Sequence, residues 1–198
     1  MDETSQALDL GAFKHVVVPI GVIIGLGVAR IVMSISEYIQ QRKHVRFSTV
    51  HAVWSILLFL LFVGTWWFLW GLRSVEAERW TFFTLIYLLA GPVLIYLPSI
   101  LLLPEVPDAG ELDLGSLFDR VGRPIFLCLA AFGLWLTCTE LYLLRQPFLV
   151  PERAFQGMSV GAFLIGAVFP SRRMAAAVGA FTLVVVAVSW ATVRAKLG

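Results

Sequence analysis

Six long apolar stretches, at residues 16–39, 50–72, 80–103, 124–144, 154–170 and 174–193, leave this chain few ways to fold. Together they occupy about two thirds of its 198 residues. A hydrocarbon core about 30 Å thick is crossed by a helix of roughly 20 apolar residues, and backbone that crosses it must satisfy its own hydrogen bonds. The fifth stretch is the shortest and least apolar, so five spans plus a re-entrant segment stand as the alternative to six. The expected fold class is all-α: one domain, a polytopic membrane protein built as a bundle of six transmembrane helices. With 59% hydrophobic and 14% charged residues, the chain lies far from a soluble average of about 25% charged.

The opening MDETSQALDLGAF is acidic. A cleavable signal peptide needs a basic start, a shorter apolar core and a small-residue cleavage site, so the first stretch is read as a retained helix. A formal charge of +2 with no Lys/Arg tract excludes nucleic acid as a partner. Cys128 and Cys138 lie about 15 Å apart along one helix and on different faces, so they cannot bridge. There is no zinc spacing, no HExxH, no GxSxG and no pair of aspartates. His15, His44 and His51 are placed wrongly for bis-histidine haem. No metal, no cofactor and no enzymatic activity are expected.

Two connections are long enough to matter. The first carries QQRKHVR. The third, 104–123, reads as an acidic amphipathic loop: Leu112, Leu114, Leu117, Phe118 and Val121 among acids suggest an interfacial turn or short helix, capped by Ser116 with Asp119 three residues on. Lys and Arg divide seven against seven between the two sides, with Arg30 inside the membrane. The dense clusters QQRKHVR and SRRM place loops one, three and five inside and both termini outside. Trp66, Trp67 and Trp70 close the second helix and Trp80 opens the third, as in an interfacial aromatic belt. Gly21 and Gly25, Gly157 and Gly161, and Ala176, Ala180, Ala187 and Ala191 form small-residue faces for close helix approach. That approach is either within one protomer or in a homo-oligomer.

Polar residues inside the spans carry what chemistry there is. Arg30, Ser34, Glu37 and Gln41 fall within about 60° on helix one, roughly opposite Gly21 and Gly25, which predicts a central helix with two buried sides. Arginine keeps its charge, so Arg30 must find Ser34, a carbonyl at a broken turn or a bound anion. His51 and Ser55 share a stripe on helix two with Thr65. His51 enters the membrane where Glu37 leaves it, so Arg30, Glu37 and His51 form one expected cluster with pH sensitivity. Glu140 lies near the opposite face. Ser34 to Glu37 followed by Arg42 matches Thr137 to Glu140 followed by Arg145, the pattern of a 3+3 inverted repeat. Gly91 and Pro92 mark a hinge or kink in helix three.

GLGVARIV at 25–32, HAVWS at 51–55, WWFLW at 66–70 and GELDLGSLFDR at 110–120 resemble a class of small bacterial integral membrane proteins of undetermined function. The resemblance implies a multi-pass protein of a bacterial inner membrane and brings no site residues. Two functional expectations follow from the residues themselves. One is passage of a small ion or solute as a channel or transporter, with Arg30, Glu37, His51, Glu140, Ser34 and Ser55 lining or gating the route. The other is a non-transporting membrane scaffold or sensor subunit that binds a partner protein.

Overall fold

A computed structural model describes residues 3–75, 79–107 and 110–197. Six helices appear among them: α1 (Glu3–Gln40), α2 (Thr49–Gly71), α3 (Phe82–Leu102), α4 (Leu117–Tyr142), α5 (Pro151–Val168) and α6 (Arg172–Leu197). Four segments are long and apolar enough to cross a bilayer: His15–Gln40, Thr49–Gly71, Phe82–Leu102 and Leu117–Tyr142. Their outward faces carry side chains that water would penalise, among them Val18, Met33, Trp67 and Phe83, each at least 66% exposed. Lipid is the solvent that suits such a surface. The helical class and the membrane setting agree with the sequence.

The helices close a ring. α1 packs on α2 and α3, α3 on α4, α4 on α5, α5 on α6, and α6 on α2. Contacts of α2 with α3 and of α4 with α6 fill its middle. At the centre the Trp54 ring lies 5.5 to 6.3 Å from those of Phe118, Phe126 and Phe163. The Trp54 indole N–H donates to the Ala175 carbonyl at 2.9 Å, which ties α2 to the start of α6.

Helix α1 is peripheral, not central. Its buried residues Val16, Ile20, Ile24, Gly27, Ile31, Ser34 and Tyr38 recur every three or four positions, the spacing of a single inward stripe. Gly25 is exposed, and a Cβ added there would meet nothing within 4 Å. Gly21, the other member of the expected pair, does lie close to a neighbour, a Cβ there standing 3.0 Å from the Trp66 ring, and the tightest approach falls at Gly27, where the Phe62 ring occupies the space a Cβ would need. Gly157 and Gly161 likewise face open space; Gly166 against Phe126 and Gly133 against Val160 make the tight α4–α5 contacts. Ala176, Ala180 and Ala187 are exposed, and the side chain of Ala191 lies outside the described residues.

The third connection also differs from expectation. α4 begins at Leu117 rather than near 124, and Pro124 sits inside it, where it has no N–H to offer the preceding turn. Leu112, Leu114, Leu117 and Phe118 are buried, so these apolar residues cover the end of the bundle instead of lying in an interface. Two short parallel strands, β1 (Val45–Arg46) and β2 (Leu112–Asp113), join loop three to loop one. Ser116 stands at the N-cap position without capping: its Oγ donates to the Asp113 carbonyl at 3.3 Å. Asp119 accepts the Arg172 N–H at 3.0 Å, pinning the start of α4 to that of α6.

Candidate functional site

The C-terminal end of α3 is where the sequence-predicted polar residues converge. A helix end leaves its last carbonyls without intrahelical donors. Here Pro104 follows within two residues of Leu102 and contributes no N–H of its own. Side chains from the two neighbouring helices supply the missing donors. The His51 Nε2–H donates to the Leu102 carbonyl at 2.9 Å; since a carbonyl only accepts, this contact fixes the proton on Nε2. An Arg30 Nη donates to the Leu103 carbonyl at 2.7 Å, and the Tyr38 hydroxyl to the Pro104 carbonyl at 2.7 Å. Glu37 takes the opposite role, its Oε1 accepting the Val106 N–H at 3.2 Å.

Geometry explains why one helix can serve so many groups. From Arg30 to Glu37 α1 rises about 10.5 Å. From Leu103 to Val106 an extended chain covers about 10 Å. α3 runs in the same sense as α1, so its exit segment lies alongside α1, and Arg30 reaches its start while Glu37 and Tyr38 reach further along it. Arg30 also places its cation at the negative end of the α3 dipole, which favours the charge where it stands. Its ion pair with Glu105, 3.5 Å away, adds little because the Glu105 side chain is 80% exposed. Of the partners foreseen for Arg30, the carbonyl at a broken turn is the one found.

Ser34 is buried on the same stripe between Arg30 and Tyr38. Ser55 Oγ donates back to the His51 carbonyl at 3.0 Å, a bond within α2. His51 does not end on Glu37: the two side chains finish on Leu102 and Val106. The ring beside His51 is Tyr38, with centroids 5.8 Å apart. Tyr38 had no place in the sequence-based cluster, although its seven-residue spacing from Ile31 put it on the buried face.

Glu140 belongs to a second cluster, where α4 ends and α5 begins. Its carboxylate is ion-paired with Arg153 and accepts from the Gln156 amide at 2.8 Å. Arg153 also donates to the Gln156 carbonyl oxygen at 2.7 Å, and Thr137 Oγ1 donates to that oxygen at 3.2 Å. The Arg153 side chain is 8% exposed and that of Glu140 15%. Nε and the second Nη of Arg153 are buried without a hydrogen-bond partner, as is Nε of Arg30. Arg153 and Gln156, missed from sequence, are spaced i, i+3 on α5 and so share a face. Glu37 holds a loop N–H, whereas Glu140 holds an arginine and an amide. The two carboxylates of the apparent repeat therefore end on unlike partners.

Gly91 and Pro92 are buried within α3, which is continuous from Phe82 to Leu102. Gly91 makes room for the Trp135 ring of α4. Trp135 and Tyr87 exchange hydrogen bonds: the indole N–H donates to the Tyr87 carbonyl at 2.8 Å, and the Tyr87 hydroxyl donates to the Trp135 carbonyl at 3.1 Å. Trp66, Trp67 and Trp70 are exposed at the far end of α2, with the Arg73 guanidinium 4.3 Å from the Trp70 ring centroid. Among the described residues no group of His, Cys, Asp and Glu is arranged to hold a metal ion. Comparison of the chain with family models, curated proteins and solved structures gives no match.

Proposed function

We propose that this chain is a non-transporting scaffold or sensor subunit, a multi-pass protein of a bacterial inner membrane in which all six helices cross the bilayer. One observation carries this choice over passage of an ion or solute. Arg30, Glu37, His51 and Glu140 are each bonded to a protein group, and three of them hold the backbone at the exit of α3. Side chains engaged in this way fix helices and a loop; a route would need them turned toward water. The end of the bundle made from loops one and three is the surface offered to a partner protein, because the strand pair and the α3 exit give it a defined shape. The exposed Gly25, Gly157, Ala176 and Ala180 are available for a homo-oligomer.

Flux through liposomes holding the purified protein separates the readings. The scaffold reading expects no pH-dependent flux of small ions, and expects Arg30→Ala and Glu37→Gln to lower thermal stability in detergent. Flux in the wild type that Glu37→Gln abolishes, with helicity unchanged, would overturn it in favour of passage.

A further inference from the structure

We infer that the cleft between the last turns of α5 and the N-terminal part of α4 is a site for an anionic phospholipid, its phosphate held by Arg123 and Arg120 and an acyl chain lying against Leu127, Leu164 and Val168. The inference rests on the reading that these helices cross a bilayer. α5 has 18 residues and α4 has 26, so they measure about 27 Å and 39 Å. α5 ends at Val168, so its last turns stand at the level of Arg123 and Leu127, while the α4 residues before them, Arg120 included, project beyond it. A cleft of about 260 Å³ lies there, lined by Arg123, Leu127, Leu164, Ala167 and Val168. At roughly 30 Å³ per water this is some nine water volumes, room for a length of acyl chain and too little for a helix.

Charge decides the headgroup. Among the described residues neither the Arg120 nor the Arg123 side chain has a hydrogen bond or ion pair, and both residues are exposed. They stand i, i+3 on one face of α4, an arrangement of like charges that costs stability unless an anion joins them. The neighbouring acid Asp119 turns one oxygen to the Arg172 N–H and forms no ion pair with either arginine, so the two cations outweigh it at this rim. Helical side chains lean toward the N-terminus of their own helix, so both guanidinium groups reach toward the α4 start while Leu127 and Leu164 lie deeper. A cationic rim above a lipid-facing apolar cleft matches a phosphodiester above its chain. The planar guanidinium is suited to take phosphate oxygens two at a time.

Native mass spectrometry tests this on the whole chain in detergent, offered equal amounts of phosphatidylglycerol and phosphatidylcholine with identical acyl chains. The wild type should retain phosphatidylglycerol preferentially. Arg123→Gln should reduce that preference about fivefold, and the Arg120→Gln, Arg123→Gln double variant roughly 25-fold. Leu164→Trp, which fills the cleft from an exposed position, should lower retention of both lipids. Equal retention by the wild type, or an undiminished preference in a helical double variant, would overturn the site. Competition by glycerol phosphate as effective as the whole lipid would make it a free-anion site and overturn the lipid. Failure of the chain to partition into membranes would sink the bilayer reading itself.

Discussion

Removing Arg153 should destabilise the fold far more than removing Arg153 and Glu140 together. The two side chains are 8% and 15% exposed and paired, so deleting the cation strands a buried carboxylate with only the Gln156 amide as donor. Breaking a buried pair from one side costs about 3–5 kcal/mol. Glu140→Leu breaks the pair from the other side and leaves the Arg153 guanidinium with only the Gln156 carbonyl oxygen as acceptor, so a loss of the same order, about 3–5 kcal/mol, is expected there too. In Arg153→Met with Glu140→Leu both charges are gone and the cost should be small, as apolar replacements of buried pairs often are. Unfolding followed by circular dichroism in one detergent measures all four proteins, and the double variant should stand about 2–4 kcal/mol above the worse single. A double variant no better than the worse single would refute the argument.

Three further outcomes follow from close contacts. Gly27→Ala pushes a methyl into the Phe62 ring and should cost about 1–3 kcal/mol; Gly25→Ala, two residues away in open space, should be neutral or gain up to about 1 kcal/mol from helix propensity. Equal unfolding midpoints for the two would contradict the assigned face of α1. His51→Ala removes the donor to the Leu102 carbonyl and should cost about 1–3 kcal/mol, with faster amide exchange in the 102–106 segment as the specific sign. Tyr38→Phe keeps the packing and loses the bond to the Pro104 carbonyl; a loss of about 0.5–1.5 kcal/mol is expected in the same unfolding assay.

The helices were legible because apolar length is a property of each segment alone. Their partners were not, for physical reasons that differ from place to place. For Arg30, charge conservation demanded an acceptor, and a freed carbonyl was among the options; which carbonyl depended on α3 running alongside α1. Glu37 looked like a partner for His51 because both stand at one membrane face, but backbone groups at the α3 exit were closer to hand and equally in need. Arg153 escaped notice because its position near the start of a helix resembles an ordinary interfacial cation. Only the α4–α5 turn folds it onto Glu140. Glycine spacing was half right in α1 and misled in α5: an i, i+4 pair indicates a smooth face without saying whether a neighbour uses it, so Trp66 packs on Gly21 while Gly25 stays open, and Gly27, outside the pair, is the one that Phe62 fills.

Lipid offers apolar helices little reason to prefer one register over another, because a neighbouring helix is no more apolar than an acyl chain. Register must then come from contacts that tolerate no sliding. Those in this chain are distributed along the whole bundle. Gly91 beneath Trp135 and Gly27 beneath Phe62 work as steric keys within the apolar layer. The Trp54 and Trp135 indoles bond to carbonyls of α6 and α3, each a fixed point between two helices. At one end the α3 exit is held by Arg30, Glu37, Tyr38 and His51, and at the other Glu140 meets Arg153. A displacement of α1 by one turn, about 5.4 Å, would break all three of its hydrogen bonds to the exit segment at once, leaving a cation, the carbonyls of Leu103 and Pro104 and the Val106 N–H unpaired. The same polar residues that look like a conduction path along the sequence thereby act as stops against helix sliding, and this is why their loss should appear first in stability.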